Sequence, residues 1–134
     1  IQKGIDQYLE EGDISLYLSN TLERTYPRGF DFEIFSFQLL ERAFQSAVEP
    51  FDKEHVTPYI WKNKSGKVRI NHLKGSLDAS KYRLTLDTPE DYELLKILIE
   101  QHRADLLGGE EIIQLMRKHP EFHLINGHIE QKKN

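Results

Sequence analysis

The run RLTLDTPEDYELLKILIE, from Arg83 to Glu100, changes its period in the middle. Up to Leu86 apolar and polar side chains alternate as in a strand. From Pro89 onward the pattern is that of a long helix, reaching about His102. The join is well punctuated. Thr88 suits an N-cap, and Pro89 suits the first helical position, where its missing N–H costs nothing. Asp91 stands three residues after Thr88 and can complete a capping box, although Glu or Gln is the usual partner. Glu90 and Asp91 also favour the positive end of the helix dipole. Helix initiation does not explain Asp87. At the C-terminal end of a strand in an α/β sheet it stands where ligands bind, and a carboxylate there can take a hard cation such as Mg²⁺. The alternative is that Asp87 only extends the cap.

Similar switches occur earlier. QKGIDQYLEEG predicts a helix with Ile5, Tyr8 and Leu9 on one face and Gly12 as its stop. ISLYLS and FDFEIFS alternate as strands and are separated by the loop NTLERTYPRG. Ser36 can cap a helix with an apolar stripe of Phe37, Leu40, Phe44 and Val48, ending at Pro50. DKEHVTPYIWKN predicts a short helix broken near Pro58. NKSGK is a turn, VRINHL and YRLTL are strand candidates, and a further helix is expected near Glu110 to Lys118. QKKN, within a tail of residues 129–134, is expected to fray. Interleaved strands and helices predict an α/β or α+β layered domain over residues 1–134.

Composition narrows the class. A chain of 134 residues can bury a core of its own, and 38% hydrophobic with 30% charged residues is ordinary for a globular domain. A net charge of −4 argues against nucleic acid as partner, because phosphate binding wants a basic face. The absence of cysteine excludes disulfides and thiolate metal sites. No apolar run reaches the roughly 18 residues of a membrane helix, so no membrane partner is expected. Ile1 rather than Met stands first, and the expectation is a processed chain or a piece of a longer one.

Three ordered motifs, SNTLERTYPRGFDFEIFS, EHVTPYIW and LTLDTPEDYELL, resemble the sugar cytidylyltransferases, in particular the branch of the spore-coat polysaccharide biosynthesis proteins. The synthetases that make CMP-activated acidic sugars are related. The resemblance runs from about Ile5 to His128 and matches the C-terminal half of that family. It implies an α/β fold, the C-terminal half of a Rossmann-like nucleotide-diphospho-sugar transferase, with a mixed sheet and flanking helices. The family's nucleotide-binding loop, a GSxRLPxK-like turn, and its GDxPL segment would lie upstream of Ile1, so the chain alone is expected to be inactive.

The implied activity is Mg²⁺-dependent transfer of a cytidylyl group from CTP to a sugar hydroxyl, with release of pyrophosphate. It serves surface polysaccharide assembly in a bacterial or archaeal cytoplasm. By the resemblance Asp87 reaches the metal, and relatives often form homodimers. PRGFDFE, with Arg28, Gly29, Asp31 and Glu33, faces the sugar side of the cleft. EHVTPY, with Glu54, His55 and Thr57, lines the acceptor pocket, where His55 can hydrogen-bond a sugar hydroxyl or assist its deprotonation.

The residues alone keep plainer alternatives open. PRGFDFE reads equally as a turn before a half-exposed strand, and His55 as a histidine satisfied at a helix start. SGKV is not a phosphate loop, since Trp61 and Val68 stand where Gly and Ser or Thr are required. His119 and His123 are four apart, but Pro120 between them speaks against one helix and a zinc face. The rival to the enzyme reading is a non-catalytic interaction or dimerisation module that completes its sheet with a partner.

Overall fold

The computed structural model describes residues 1–132. The chain divides into two compact units, Ile1–Glu23 with Phe32–Lys74, and Arg24–Asp31 with the segment from Gly75 onward. The tail's last two residues, 133 and 134, lie outside the described residues.

The first unit holds α1 (Gln2–Glu11), β1 (Leu16–Ser19), β2 (Glu33–Phe35), α2 (Phe37–Ser46), α3 (Pro50–His55), α4 (Pro58–Trp61) and β3 (Arg69–His72). Gly12 ends α1 in the left-handed conformation at φ 59°, as its position predicts. Among the described residues the sheet order is β2-β1-β3, with β1 antiparallel to β2 and parallel to β3. The mixed sheet with flanking helices is the α/β architecture expected. Central β1 departs from the alternation read in ISLYLS, because Leu16 to Ser19 are all buried. A strand with neighbours on both edges and covered faces has no solvent side on which polarity can report. Tyr17, Leu39, Ala43 and Ile60 form this unit's core, with Tyr59, Trp61 and Val68 packed against it.

Ser36 caps α2 as expected, its Oγ accepting from Leu39 N–H at 3.2 Å. The stripe read as the buried face is corrected. Phe37, Phe44 and Val48 are 72%, 86% and 83% exposed, and the residues α2 buries are Leu39 and Ala43. A groove of about 760 Å³ runs along this outer surface, with Phe37, Leu40, Phe44, Asp52 and Val56 in its lining.

The second unit holds α5 (Pro89–His102), a 3₁₀ turn (Ala104–Leu106), α6 (Gly109–Lys118) and α7 (Pro120–Asn126). Its core joins Tyr82 and Leu84 to Leu94, Leu98, Ile113, Met116 and Phe122. The sequence reading missed α7. Pro120 ends one helix and, standing at the first position of the next, also starts α7, with His119 at the boundary. YRLTL is corrected from strand to extended segment. Among the described residues it makes a single parallel bridge, Arg28 to Arg83, and joins no ladder.

Candidate active site

In the second unit, two of the segments singled out in the sequence run side by side. Arg28 N–H donates to Tyr82 C=O at 3.1 Å, and Leu84 N–H donates to Arg28 C=O at 2.7 Å. Gly29 makes this approach possible. Its φ is 105°, and a Cβ there would sit 2.0 Å from Leu84 O. Arg28 and Gly29 thus lie beside the strand-like segment that leads to Asp87. Asp31 belongs to the same unit and is held by Arg24, Nη1 to Oδ1 at 2.5 Å.

The acidic residues of DTPED fill roles that differ from those their order suggests. Thr88 caps α5, its Oγ1 accepting from Asp91 N–H at 3.2 Å. The Asp91 carboxylate turns inward and is fully buried. Arg83 Nε and Nη2 donate to its two oxygens at 2.9 and 3.0 Å. Thr85 Oγ1 donates at 2.9 Å, Asn126 Nδ2 at 2.9 Å, and the Asp87 N–H at 3.0 Å. The capping box is therefore shifted, since the Asp91 side chain accepts from the residue before the cap. Burial opposes the charged form of Asp91, but the hydrogen bonds from Arg83, Asn126, Asp87 N–H and Thr85 outweigh it. They hold its carboxyl well below the usual carboxylate range.

Asp87 differs. Its side chain is 64% exposed, and Oδ2 stands 3.4 Å from Arg83 Nη2. Arg83 is already matched by Asp91, so the group of three carries one net negative charge, located at the exposed carboxylate. Mg²⁺ takes hard oxygen ligands and is commonly held by one or two carboxylates together with substrate phosphates. Asp87 fits one share of such a site by the chemistry of its oxygens and by access. Among the described residues no three His, Cys, Asp or Glu side chains gather as a complete metal cluster.

The other expected residues lie in the first unit. Glu33 is exposed on β2 and accepts from the Tyr17 hydroxyl at 2.6 Å. Burial, reinforced by this bond, drives the tyrosine's pKa up. Glu54 and His55 are exposed near the end of α3, where the His55 ring packs on Phe51 with centroids 4.5 Å apart. Val56 follows at φ 65° and ψ −56°, closed by a 2.7 Å bond from Thr57 N–H to His55 C=O. That is a γ-turn, strained for a β-branched residue, and it sets the direction in which the chain leaves His55. Thr57 then begins α4 without a side-chain capping bond.

The sequence reading missed a polar cluster at the carboxyl ends of the parallel strands β1 and β3, the edge at which α/β sheets bind ligands. Ser19 and His72 are register partners there, and Ser19 Oγ bonds Thr21 Oγ1 at 2.9 Å. His72 Nε2 lies 3.3 Å from Glu23, which also pairs with Lys74. His72 Nδ1 is buried without a partner among the described residues. The available signal was SNT directly after an apolar strand. Arg83, Asp91 and Asn126 were missed as a group because Asn126 lies 35 residues from Asp91.

No family model matches the chain. Among curated proteins, it is 36% identical over 107 residues to an uncharacterized protein of Methanocaldococcus jannaschii, a match covering 78% of this chain and 43% of that one. It is 32% identical over 122 residues to the spore coat polysaccharide biosynthesis protein SpsF of Bacillus subtilis, covering 87% and 48%. Among solved structures, a cytidylyltransferase from Leptospira borgpetersenii matches with a TM-score of 0.80 and 32% identity, over 97% of this chain and 53% of that one. The chain thus spans about half the length of the proteins it matches.

Proposed function

We propose that this chain, a relative of the spore coat polysaccharide biosynthesis protein SpsF with the fold of a cytidylyltransferase, is the acceptor-sugar and metal part of a sugar cytidylyltransferase. In this reading a sugar hydroxyl attacks the α-phosphorus of CTP, the bond to the β-phosphate oxygen breaks, and pyrophosphate leaves. Bound Mg²⁺ would neutralise phosphate oxygens and stabilise the charge that develops on them. Asp87 would contribute one carboxylate to that ion. Arg28, Gly29, Asp31, Glu33, Glu54 and Thr57 would border the acceptor, and His55 would take its hydroxyl proton. What supports the reading is the likeness to a cytidylyltransferase together with an exposed carboxylate, Asp87, on a buried ionic support. The protein is proposed to act in the cytoplasm as a homodimer.

The test is release of pyrophosphate by the intact protein from CTP, Mg²⁺ and a panel of sugars and acidic sugars. Release with CTP and an acceptor, abolished by chelation, is expected. No release from any nucleoside triphosphate with any acceptor contradicts the reading.

The second reading is a non-catalytic module that pairs with another copy of itself. The observation favouring it is the exposed apolar face of α2.

A further inference from the structure

We infer that Arg83 is the positioning residue for Asp87, and that Asp91, Asn126 and Gln131 hold Arg83 in place for that purpose. The inference rests on the proposed role of Asp87 and deepens it. None of these four side chains takes part in the proposed reaction itself.

Arg83 is 6% exposed and Asp91 fully buried, and two charges taken from water are offset only when their geometry is good and their remaining donors and acceptors are used. Both conditions hold. The pairing is bidentate, which fixes the plane of the guanidinium. Gln131 Oε1 accepts from Nη1 at 2.7 Å. Asn126 spans the pair, donating to Asp91 Oδ1 and to Arg83 C=O, both at 2.9 Å. The guanidinium can neither rotate nor withdraw without breaking several of these bonds together.

Asp87 is reached from this frame at two points. Its backbone N–H is held by Asp91 Oδ2, and its carboxylate rests against Arg83 Nη2. The shifted capping box accounts for the first contact, and capping by Thr88 does not require the second. A carboxylate on a freely turning χ1 would spend much of its time away from any one ligand position. One tied at the backbone and guided at Oδ2 presents its remaining oxygen in a restricted direction. Partners of this kind, one bond behind a metal ligand, typically change metal affinity or activity 10- to 100-fold when altered.

The test uses Mn²⁺ as the probe ion together with CTP, in the intact protein. Binding is read from paramagnetic broadening of the Thr88 and Glu90 amide signals, and turnover is read separately. Arg83→Lys keeps a cation beside Asp91 but cannot span Asp91, Gln131 and Asp87 together. It is expected to weaken Mn²⁺ binding about tenfold or more and to lower kcat with little change in KM for the sugar. Gln131→Ala leaves no buried charge unpaired, so it folds even if Arg83→Lys does not. It should shift the same two readouts in the same direction, by less. In the double variant, Arg83→Lys should add little to Asp87→Asn, since Arg83 acts through that carboxylate.

Two results separate the failures. If Asp87→Asn abolishes broadening and turnover while Arg83→Lys and Gln131→Ala match the parent, Asp87 keeps its role and the positioning inference is overturned. Fully multiplicative losses in the double variant overturn it as well. If Asp87→Asn itself leaves both readouts unchanged, the metal assignment fails and the positioning inference fails with it.

Discussion

At the scale of single residues, Asp87 and Asp91 show how two identical side chains four apart take opposite roles. Asp91 is buried and fully bonded, and Asp87 is exposed beside one guanidinium. The difference was only half legible. Helix-start chemistry set Asp87 apart from Thr88, Pro89 and Glu90, and it assigned Asp91 to the capping box and the helix dipole without signalling its burial. Its true partners, Arg83 and Asn126, carry no local spacing signal. Removing the charge in Asp91→Asn leaves the buried Arg83 with only the exposed Asp87 carboxylate, 3.4 Å away, as counter-ion, and should cost about 3 kcal/mol by urea denaturation. The folded pKa of Asp91 lies below its unfolded value, near 3.9. The unfolded chain therefore takes up the proton first as pH falls. The stabilisation is complete above about pH 5 and is lost progressively on further acidification. Stability curves measured between pH 2 and pH 6 should fall less steeply in Asp91→Asn than in the parent.

At the scale of elements, most helices and strands were legible because their periods and stops are local. α1, α2, α5 and α6 follow from caps, glycines and apolar spacing. The errors arose where tertiary surroundings decide. In α2 both faces carry apolar residues, so the pattern could not say that Leu39 and Ala43 rather than Phe37 and Phe44 meet the core. In YRLTL alternation was real but a ladder partner was not. Leu39→Ala should therefore cost about 2–5 kcal/mol, whereas Phe44→Ser should stay within about 0.5 kcal/mol in a monomeric state. Equal losses at the two positions would reverse the assignment of the buried face. The γ-turn at Val56 belongs to this scale too. Val56→Gly should relieve strain and raise the thermal midpoint slightly, and a lowered midpoint would show that the turn is unstrained.

At the scale of the whole molecule, the α/β class, the mixed sheet and the relationship to SpsF and a cytidylyltransferase followed from three ordered motifs. Separation into two units did not, since Arg24–Asp31 leaves the first unit's sequence to join the second. The candidate residues divide accordingly, with Arg28, Gly29, Asp31 and Asp87 in one unit and Glu33, Glu54, His55 and Thr57 in the other. If α2 pairs with a second copy, sedimentation should report a dimer that Phe44→Glu converts to monomer. A parent that stays monomeric at high concentration would remove the second reading. If Asp87 serves a metal in cytidylyl transfer, pyrophosphate release at saturating CTP and Mg²⁺ separates the intact protein from its Asp87→Asn variant. Turnover of the variant should fall about 100-fold or more with the thermal midpoint nearly unchanged. Release at the parental rate by a folded Asp87→Asn protein would contradict it.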